Sequence, residues 1–231
     1  MKICGNFEAI DGASFSKNIA VRLWTHWCLK AIGTMLFMAI FFTMYLYLLK
    51  NPYFMITKMP LTIVDNWVGF QPNYLYFYLS LWVYVSLVPA LMKNQKELIY
   101  YGVYIGIVCM IGVGVYIFFP TSVPQYAIDL DQYPQFSLLK TIDTAGNAFP
   151  SLHVATAFFS AFWFDYHLKQ MNGQTGIRVM SAVWCLGIIY STMAIKQHLF
   201  LDVVGGLILG GIWAVLSLRY HKANFYTSES L

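Results

Sequence analysis

Two short stretches hold the residues of this chain best suited to chemistry: Phe149-Pro150-Ser151-Leu152-His153, and Lys196-Gln197-His198-Leu199-Phe200-Leu201-Asp202. Each lies at the edge of an apolar segment, where an ionisable group is costly to hold and is seldom kept without a use. His198 and Asp202 are four apart, so on a helix they share one face. A histidine oriented by a carboxylate can act as base or nucleophile. Pro150 and Ser151 open the preceding apolar segment. A helix starting there turns free N–H groups at Ser151, Leu152 and His153, and the positive end of its dipole, toward an anion. The Ser151 hydroxyl is a further donor, and Lys196 adds a point charge. The set fits phosphoryl transfer. His198 attacks phosphorus to give a phosphohistidine, Asp202 holds its other ring nitrogen, and protonated His153 donates to the departing oxygen. A water or a lipid hydroxyl then takes the phosphoryl group. The catalytic candidates are therefore His198, His153 and Asp202, and the substrate-binding candidates are Pro150, Ser151, Leu152 and Lys196. The scheme calls for no metal and no cofactor.

The elements that must position these residues are membrane helices. Of the 231 residues 59% are apolar, 18% aromatic and only 10% charged, and the mean hydropathy is +0.59. Soluble domains carry about 25% charged residues, so the composition excludes that class. The net charge of +4 comes with no basic block interleaved with aromatics, which argues against nucleic acid as a partner. Apolar runs of about 20 residues, the length that crosses a bilayer core, predict six spans. They cover 27–49, 73–92, 98–119, 151–166, 177–195 and 200–218, an all-α polytopic bundle. A single membrane domain follows, with a core over 27–218 between tails 1–26 and 219–231. With the N-terminus in the cytoplasm, 10 of the 14 basic residues fall on the inner side, as the positive-inside rule requires. Both termini are then cytoplasmic, and both reactive stretches meet the outer face.

Two outer loops are long. Residues 50–72 carry Trp67 and Phe70 among prolines and predict a short interfacial helix. Residues 120–150 hold Asp129, Asp131 and Asp143 and lead directly into Pro150. Cys4, Cys28, Cys109 and Cys185 form neither a Cys-x-x-Cys pair nor a zinc pattern and read as small apolar residues, with no disulfide and no structural metal. His26, His167 and His221 lie beside cytoplasmic charges and read as solvated. Ser191 reads as a packing residue. Gly205-Gly206 and Gly210-Gly211 offer small faces for close helix approach. The aromatic residues from Tyr74 to Trp82 read as an interface belt.

With these residues in place the chain resembles the type-2 phosphatidic acid phosphatase superfamily of integral membrane enzymes. That family carries three blocks: Lys, six residues, Arg-Pro; then Pro-Ser-Gly-His; then Ser-Arg, five residues, His, three residues, Asp. Pro150-Ser151-Leu152-His153 corresponds to the second block, with Leu152 in the place of glycine. Ser191, His198 and Asp202 correspond to the third, with Thr192 in the place of arginine. Phe119-Pro120-Thr121 stands where the first block ends, with Phe119 in the place of arginine and no lysine before it. Lys196, Gln125, Tyr126 and Lys140 are the residues available to replace those cations. The Ser-Leu-His and Lys-Gln-His versions are similar to the branch containing inositol phosphorylceramide synthase-like proteins.

The resemblance implies a metal-independent lipid phosphatase acting on a lipid phosphate or diphosphate at the outer face of the membrane. A phosphotransferase that moves a phospho-headgroup to a lipid or polyol alcohol is the alternative, and a non-catalytic transport or assembly protein is a third reading. The expected partners are a membrane lipid phosphate and the bilayer. The short tails favour a bacterial inner membrane with the site toward the periplasm. Oligomeric state, headgroup and chain preference are not encoded legibly.

Overall fold

The computed structural model describes residues 14–126, 128, 132–136 and 147–226. Lys140, Asp129, Asp131, Asp143 and Cys4 lie outside the described residues. Helices dominate: α1 (Phe15–Trp24), α2 (Trp27–Lys50), α3 (Ile63–Trp67), α4 (Leu75–Leu79), α5 (Leu81–Ala90), α6 (Gln95–Phe118), α7 (Leu152–Gln170), α8 (Thr175–Ala194) and α9 (Phe200–Tyr226). Two-residue strands β1 (Thr57–Lys58) and β2 (Thr121–Ser122) pair in parallel, Thr57 opposite Thr121.

Helices α2, α6, α8 and α9 are long and apolar enough to cross a membrane, which makes this a membrane protein. The two other expected spans differ from the sequence reading for physical reasons. Residues 73–92 form no single helix. A 3-10 turn at Pro72–Tyr74 leads into α4, and the chain bends at Ser80 before α5. The Ser80 hydroxyl donates to the Phe77 carbonyl at 2.7 Å, and such back-bonding by serine bends helices. Helix α7 has 19 residues, long enough to cross, but His153, Thr156, Ser160, Asp165, His167 and Lys169 lower its hydropathy. It can carry them because it is the central helix. It packs against α5, α6, α8 and α9, and Ala155, Ala157, Phe159, Ser160 and Trp163 are fully buried.

The core forms around α7. Val88 of α5, Val108 of α6, Phe159 and Trp163 of α7 and Ala214 of α9 share one apolar cluster, and Tyr84, Val154, Cys185 and Ile188 belong to a second. Two polar pairs are drawn into this interior. Trp163 Nε1 donates to Ser217 Oγ at 2.9 Å, and the Tyr101 hydroxyl meets Ser160 Oγ at 3.0 Å. Cys28, Cys109 and Cys185 are free thiols, and the last two are buried.

At the end of the bundle away from the reactive stretches, the expected tail is partly folded. Phe15 and Ile19 of α1 pack against a buried cluster of Leu91, Leu168 and Met171. Arg22 Nη1 reaches the Leu91 carbonyl at 3.3 Å and His167 Nδ1 at 3.2 Å. Lys30 Nζ donates to the Ala90 carbonyl at 2.9 Å, and Glu97 lies 3.4 Å from His221. His167 and His221 are therefore buried, not solvated as their neighbours in sequence suggested. Residues from α1, α6 and α9 supply partners that no local pattern reveals. Helix α9 also continues past the expected end at 218 to Tyr226.

Candidate active site

At the opposite end, a web of backbone and side-chain bonds sets where α7 begins. The Met59 and Thr57 N–H groups donate to Ser122 and Pro120 carbonyls, and the Ala148 N–H donates to the Thr121 carbonyl at 3.1 Å. Thr121 Oγ1 accepts from the Phe149 N–H at 2.8 Å, and the Tyr116 hydroxyl donates to the Pro150 carbonyl at 2.6 Å. The segment at Phe119-Pro120-Thr121 is thereby stitched beside Phe149-Pro150. Ser151 caps α7, its Oγ accepting from the Val154 N–H at 3.2 Å, a normal N-cap role for serine. The Ser151 N–H in turn donates to the Asp202 carbonyl at 3.0 Å. That bond joins the first turns of α7 and α9, and with them the two reactive stretches.

Helix α9 can approach so closely because of its glycines. A Cβ on Gly206 would lie 2.5 Å from the Ser151 carbonyl oxygen, and one on Gly210 would lie 2.3 Å from the Ala155 carbonyl oxygen. Both obstacles are backbone, so no side-chain rotation relieves them. The reading of these glycines as packing residues agrees with this contact.

His198 is positioned by a short loop. The Thr192 carbonyl, at the end of α8, accepts from both the Gln197 and the His198 N–H groups at 3.0 Å, and Lys196 adopts a left-handed φ of 62° to make the turn. Ser191 is fully buried, its hydroxyl donating to the Ile188 carbonyl at 2.6 Å. Asp202 is fully buried, and its Oδ2 accepts from the Leu199 N–H at 2.8 Å while lying 3.7 Å from His198 Nδ1. That separation is an ion-pair distance, not a formed hydrogen bond. It leaves Nε2 as the ring nitrogen turned away from the carboxylate. His153 lies close enough to His198 for a charge on one ring to be felt at the other. Its ring stacks on Tyr78 with centroids 4.0 Å apart and planes 13° apart, and Trp82 meets it edge-on at 6.1 Å. Three buried polar atoms here have no partner: His153 Nε2, His198 Nδ1 and Asp202 Oδ1. Orphaned polar atoms are rare in folded interiors, and among the described residues these three gather at one helix junction.

Lys196 stands differently from the sequence reading. Its Nζ donates to the Asp65 carbonyl at 3.1 Å and to the Val68 carbonyl, and lies 4.9 Å from the centre of the Tyr126 ring. Desolvation by these neighbours lowers its pKa, opposed by the nearby Asp65 carboxylate. The ammonium thus straps the C-terminal end of α3 to the His198 loop. Gln125 is exposed, and the Tyr126 hydroxyl is buried without a partner. Phe119 is 71% exposed.

Sequence reasoning missed Asp65. Thr62 and Asp65 form a capping box at the start of α3, and Asp65 Oδ1 reaches across to accept the Phe200 N–H at 2.7 Å. Thr62-x-x-Asp65 was legible as a cap; its contact with α9 was not. Asp65→Ala removes an acceptor from a partly buried N–H, a loss of about 1 kcal/mol. The expected result is a lower unfolding temperature in detergent, with a fall in turnover exceeding any change in KM.

A bundle with four helices long and apolar enough to cross a membrane, burying two histidines and a carboxylate near two helix starts, belongs to the class of helical membrane proteins. Residues 97–226 match the family described as the PAP2 superfamily, a stretch from α6 through α9 that contains both reactive segments and exceeds half of the chain. The chain belongs to this superfamily, whose members are phosphatases and phosphotransferases. No curated protein and no solved structure matches it.

Proposed function

We propose that the protein is a lipid phosphate phosphatase or phosphotransferase that works through a phosphohistidine. The observation that carries the proposal is the cluster of partnerless buried atoms on His153, His198 and Asp202. Charge placement indicates where the phosphate sits. The start of α9 is already neutralised, because Asp202 accepts from the Leu199 N–H and Asp65 from the Phe200 N–H. The start of α7 has no acidic residue in its first turn; the Ser151 N–H, an expected donor, is given to the Asp202 carbonyl and the Val154 N–H to Ser151 Oγ, so the Leu152 and His153 N–H groups and the dipole are what it offers an anion. His198 Nε2 attacks phosphorus, forming the P–N bond as the P–O bond to the lipid breaks. His153 delivers its proton to the departing oxygen. Asp202 holds the Nδ1 proton of the charged ring, their 3.7 Å separation closing as charge develops. Water, or an alcohol, then attacks phosphorus and returns its proton to His153, which frees His198.

We further propose six crossings, with α4–α5 and α7 completing the four apolar helices, both termini cytoplasmic and the site at the outer face of a bacterial inner membrane. The distribution of Lys and Arg supports this orientation. One membrane domain with a single active site follows.

A second reading is favoured by a specific feature. Phe119 and Thr192 occupy places where the family carries arginine, and Lys196 is engaged with carbonyls. A phosphodiester bears one negative charge where a monoester bears up to two. Transfer of a phospho-headgroup to a lipid or polyol alcohol, as in the inositol phosphorylceramide synthase-like branch, therefore suits this site. A panel of lipid monophosphates, diphosphates and phosphodiesters in detergent, read by mass spectrometry, separates the two. Free phosphate from the monoesters selects hydrolysis; headgroup exchange with little free phosphate selects transfer. Turnover of none of them by folded protein rejects the enzyme reading. Among the described residues no group of three His, Cys, Asp or Glu side chains converges to hold an ion, and turnover is expected to persist in EDTA. Loss on chelation with recovery on adding magnesium would overturn that expectation.

A further inference from the structure

We infer that Tyr78 is a positioning residue, gripping the His153 imidazole by its ring face and its backbone carbonyl so that His153 serves as the proton donor. This rests on the phosphohistidine reading above.

The bend at Ser80 makes the grip possible. Helix α4 ends at Leu79, and the last carbonyls of a helix lack intrahelical partners. The Tyr78 carbonyl lies at this helix end, within reach of the His153 ring. The bend is held from two sides. Ser80 Oγ donates to the Phe77 carbonyl at 2.7 Å, and Trp184 Nε1 of α8 donates to Ser80 Oγ at 2.8 Å. The same short helix lays the Tyr78 ring parallel to the imidazole, with centroids 4.0 Å apart and planes 13° apart. Trp82, one turn on, closes the side at 6.1 Å and is itself braced by Phe42 at 4.9 Å. An aromatic face within 6 Å stabilises a cation, so the stack favours the protonated ring that must give up a proton. With the other ring nitrogen toward the Tyr78 backbone, Nε2 is the nitrogen without a partner among the described residues. The aromatic run from Tyr74 to Trp82 is thus more than an interface belt. Two of its rings, Tyr78 and Trp82, contact the His153 imidazole.

The test uses leaving groups. A lipid alkoxide leaves poorly and needs a proton, whereas p-nitrophenolate leaves without one. Full-length Tyr78→Leu and Tyr78→Phe are compared with the parent on dioctanoyl phosphatidic acid and on p-nitrophenyl phosphate. kcat/KM is read because it reports the steps through leaving-group departure. Tyr78→Leu keeps the carbonyl and loses the ring face. It should lower kcat/KM for the phosphatidic acid by about 2- to 30-fold and change that for p-nitrophenyl phosphate by less than about twofold, and Tyr78→Phe should restore the parent value. An equal fall on both substrates assigns Tyr78 to structure alone, and no fall on either removes it; both outcomes overturn the inference. A second readout needs no turnover. In histidine-labelled protein, the ring protons of His153, identified by their loss in His153→Gln, should resonate upfield in the parent and in Tyr78→Phe, and move downfield in Tyr78→Leu. If the parent turns over neither substrate, the enzyme reading fails. The NMR arm then decides the Tyr78 contact by itself, and an unmoved resonance overturns it.

Discussion

His198→Ala is expected to abolish turnover, with kcat falling at least about 10³-fold, because the atom that forms the P–N bond is gone. The fold should survive. His198 is held by its backbone N–H to the Thr192 carbonyl, which alanine retains, and its Nδ1 makes no hydrogen bond to Asp202. Asp202→Asn makes the companion case sharper. The amide oxygen can still accept from the Leu199 N–H, now bonded to Oδ2 at 2.8 Å, so the start of α9 stays capped. What is lost is the negative charge that stabilises the ring once phosphorus is attached, and about 10²- to 10⁴-fold in kcat should go with it. Mass spectrometry of acid-protected digests should find a phosphorylated His198 peptide in the parent after brief mixing with substrate, and none in His198→Ala. Full turnover by His198→Ala at an unchanged unfolding temperature would remove this residue from the chemistry and the proposed mechanism with it.

The second large effect is one of packing. Gly210→Ala adds a single carbon, and that carbon would sit 2.3 Å from the Ala155 carbonyl oxygen and 3.0 Å from its carbonyl carbon. Because the obstacle is the backbone of α7, relief requires the two helices to part. Parting α9 from α7 also stretches the Ser151 N–H bond to the Asp202 carbonyl, at 3.0 Å, which holds the two reactive stretches together. Overpacking against a rigid neighbour costs about 3 kcal/mol or more, on the order of a 10 °C fall in unfolding temperature for a chain of this size. Activity should fall with it although no reactive group is touched. Gly102→Ala is the matched control. No atom lies within 4 Å of its added carbon, and alanine is the better helix former, so its unfolding temperature should hold or rise. Equal behaviour of the two variants in a thermal melt in detergent would show that α7 and α9 are not in the close contact described.

Much of this molecule was legible along the chain. Apolar composition announced membrane helices. Pro150-Ser151 announced a helix start, because serine caps by a local bond to the Val154 N–H. The spacing of His198 and Asp202 announced a pair, although His198 sits in the loop before α9 and not on its first turn. Each of these depends on atoms a few residues apart, and a linear pattern records such neighbours. The places where the structure departs from that reading depend on contacts across long stretches of sequence. Asp65 meets Phe200 across 135 residues, and Lys196 is drawn to the Asp65 and Val68 carbonyls instead of standing open beside the phosphate position. His167 and His221 look solvated beside their charged neighbours, yet Arg22 and Glu97 cover them. Tyr78 is one tyrosine in an aromatic run until the bend at Ser80 lays it on His153. Local hydrogen bonding and hydrophobic length thus determined the long apolar helices and the cap at Ser151 from sequence alone. Which of the reactive residues meet, and which cation is already taken, was decided only by tertiary packing, because the partners come from stretches far apart in the chain.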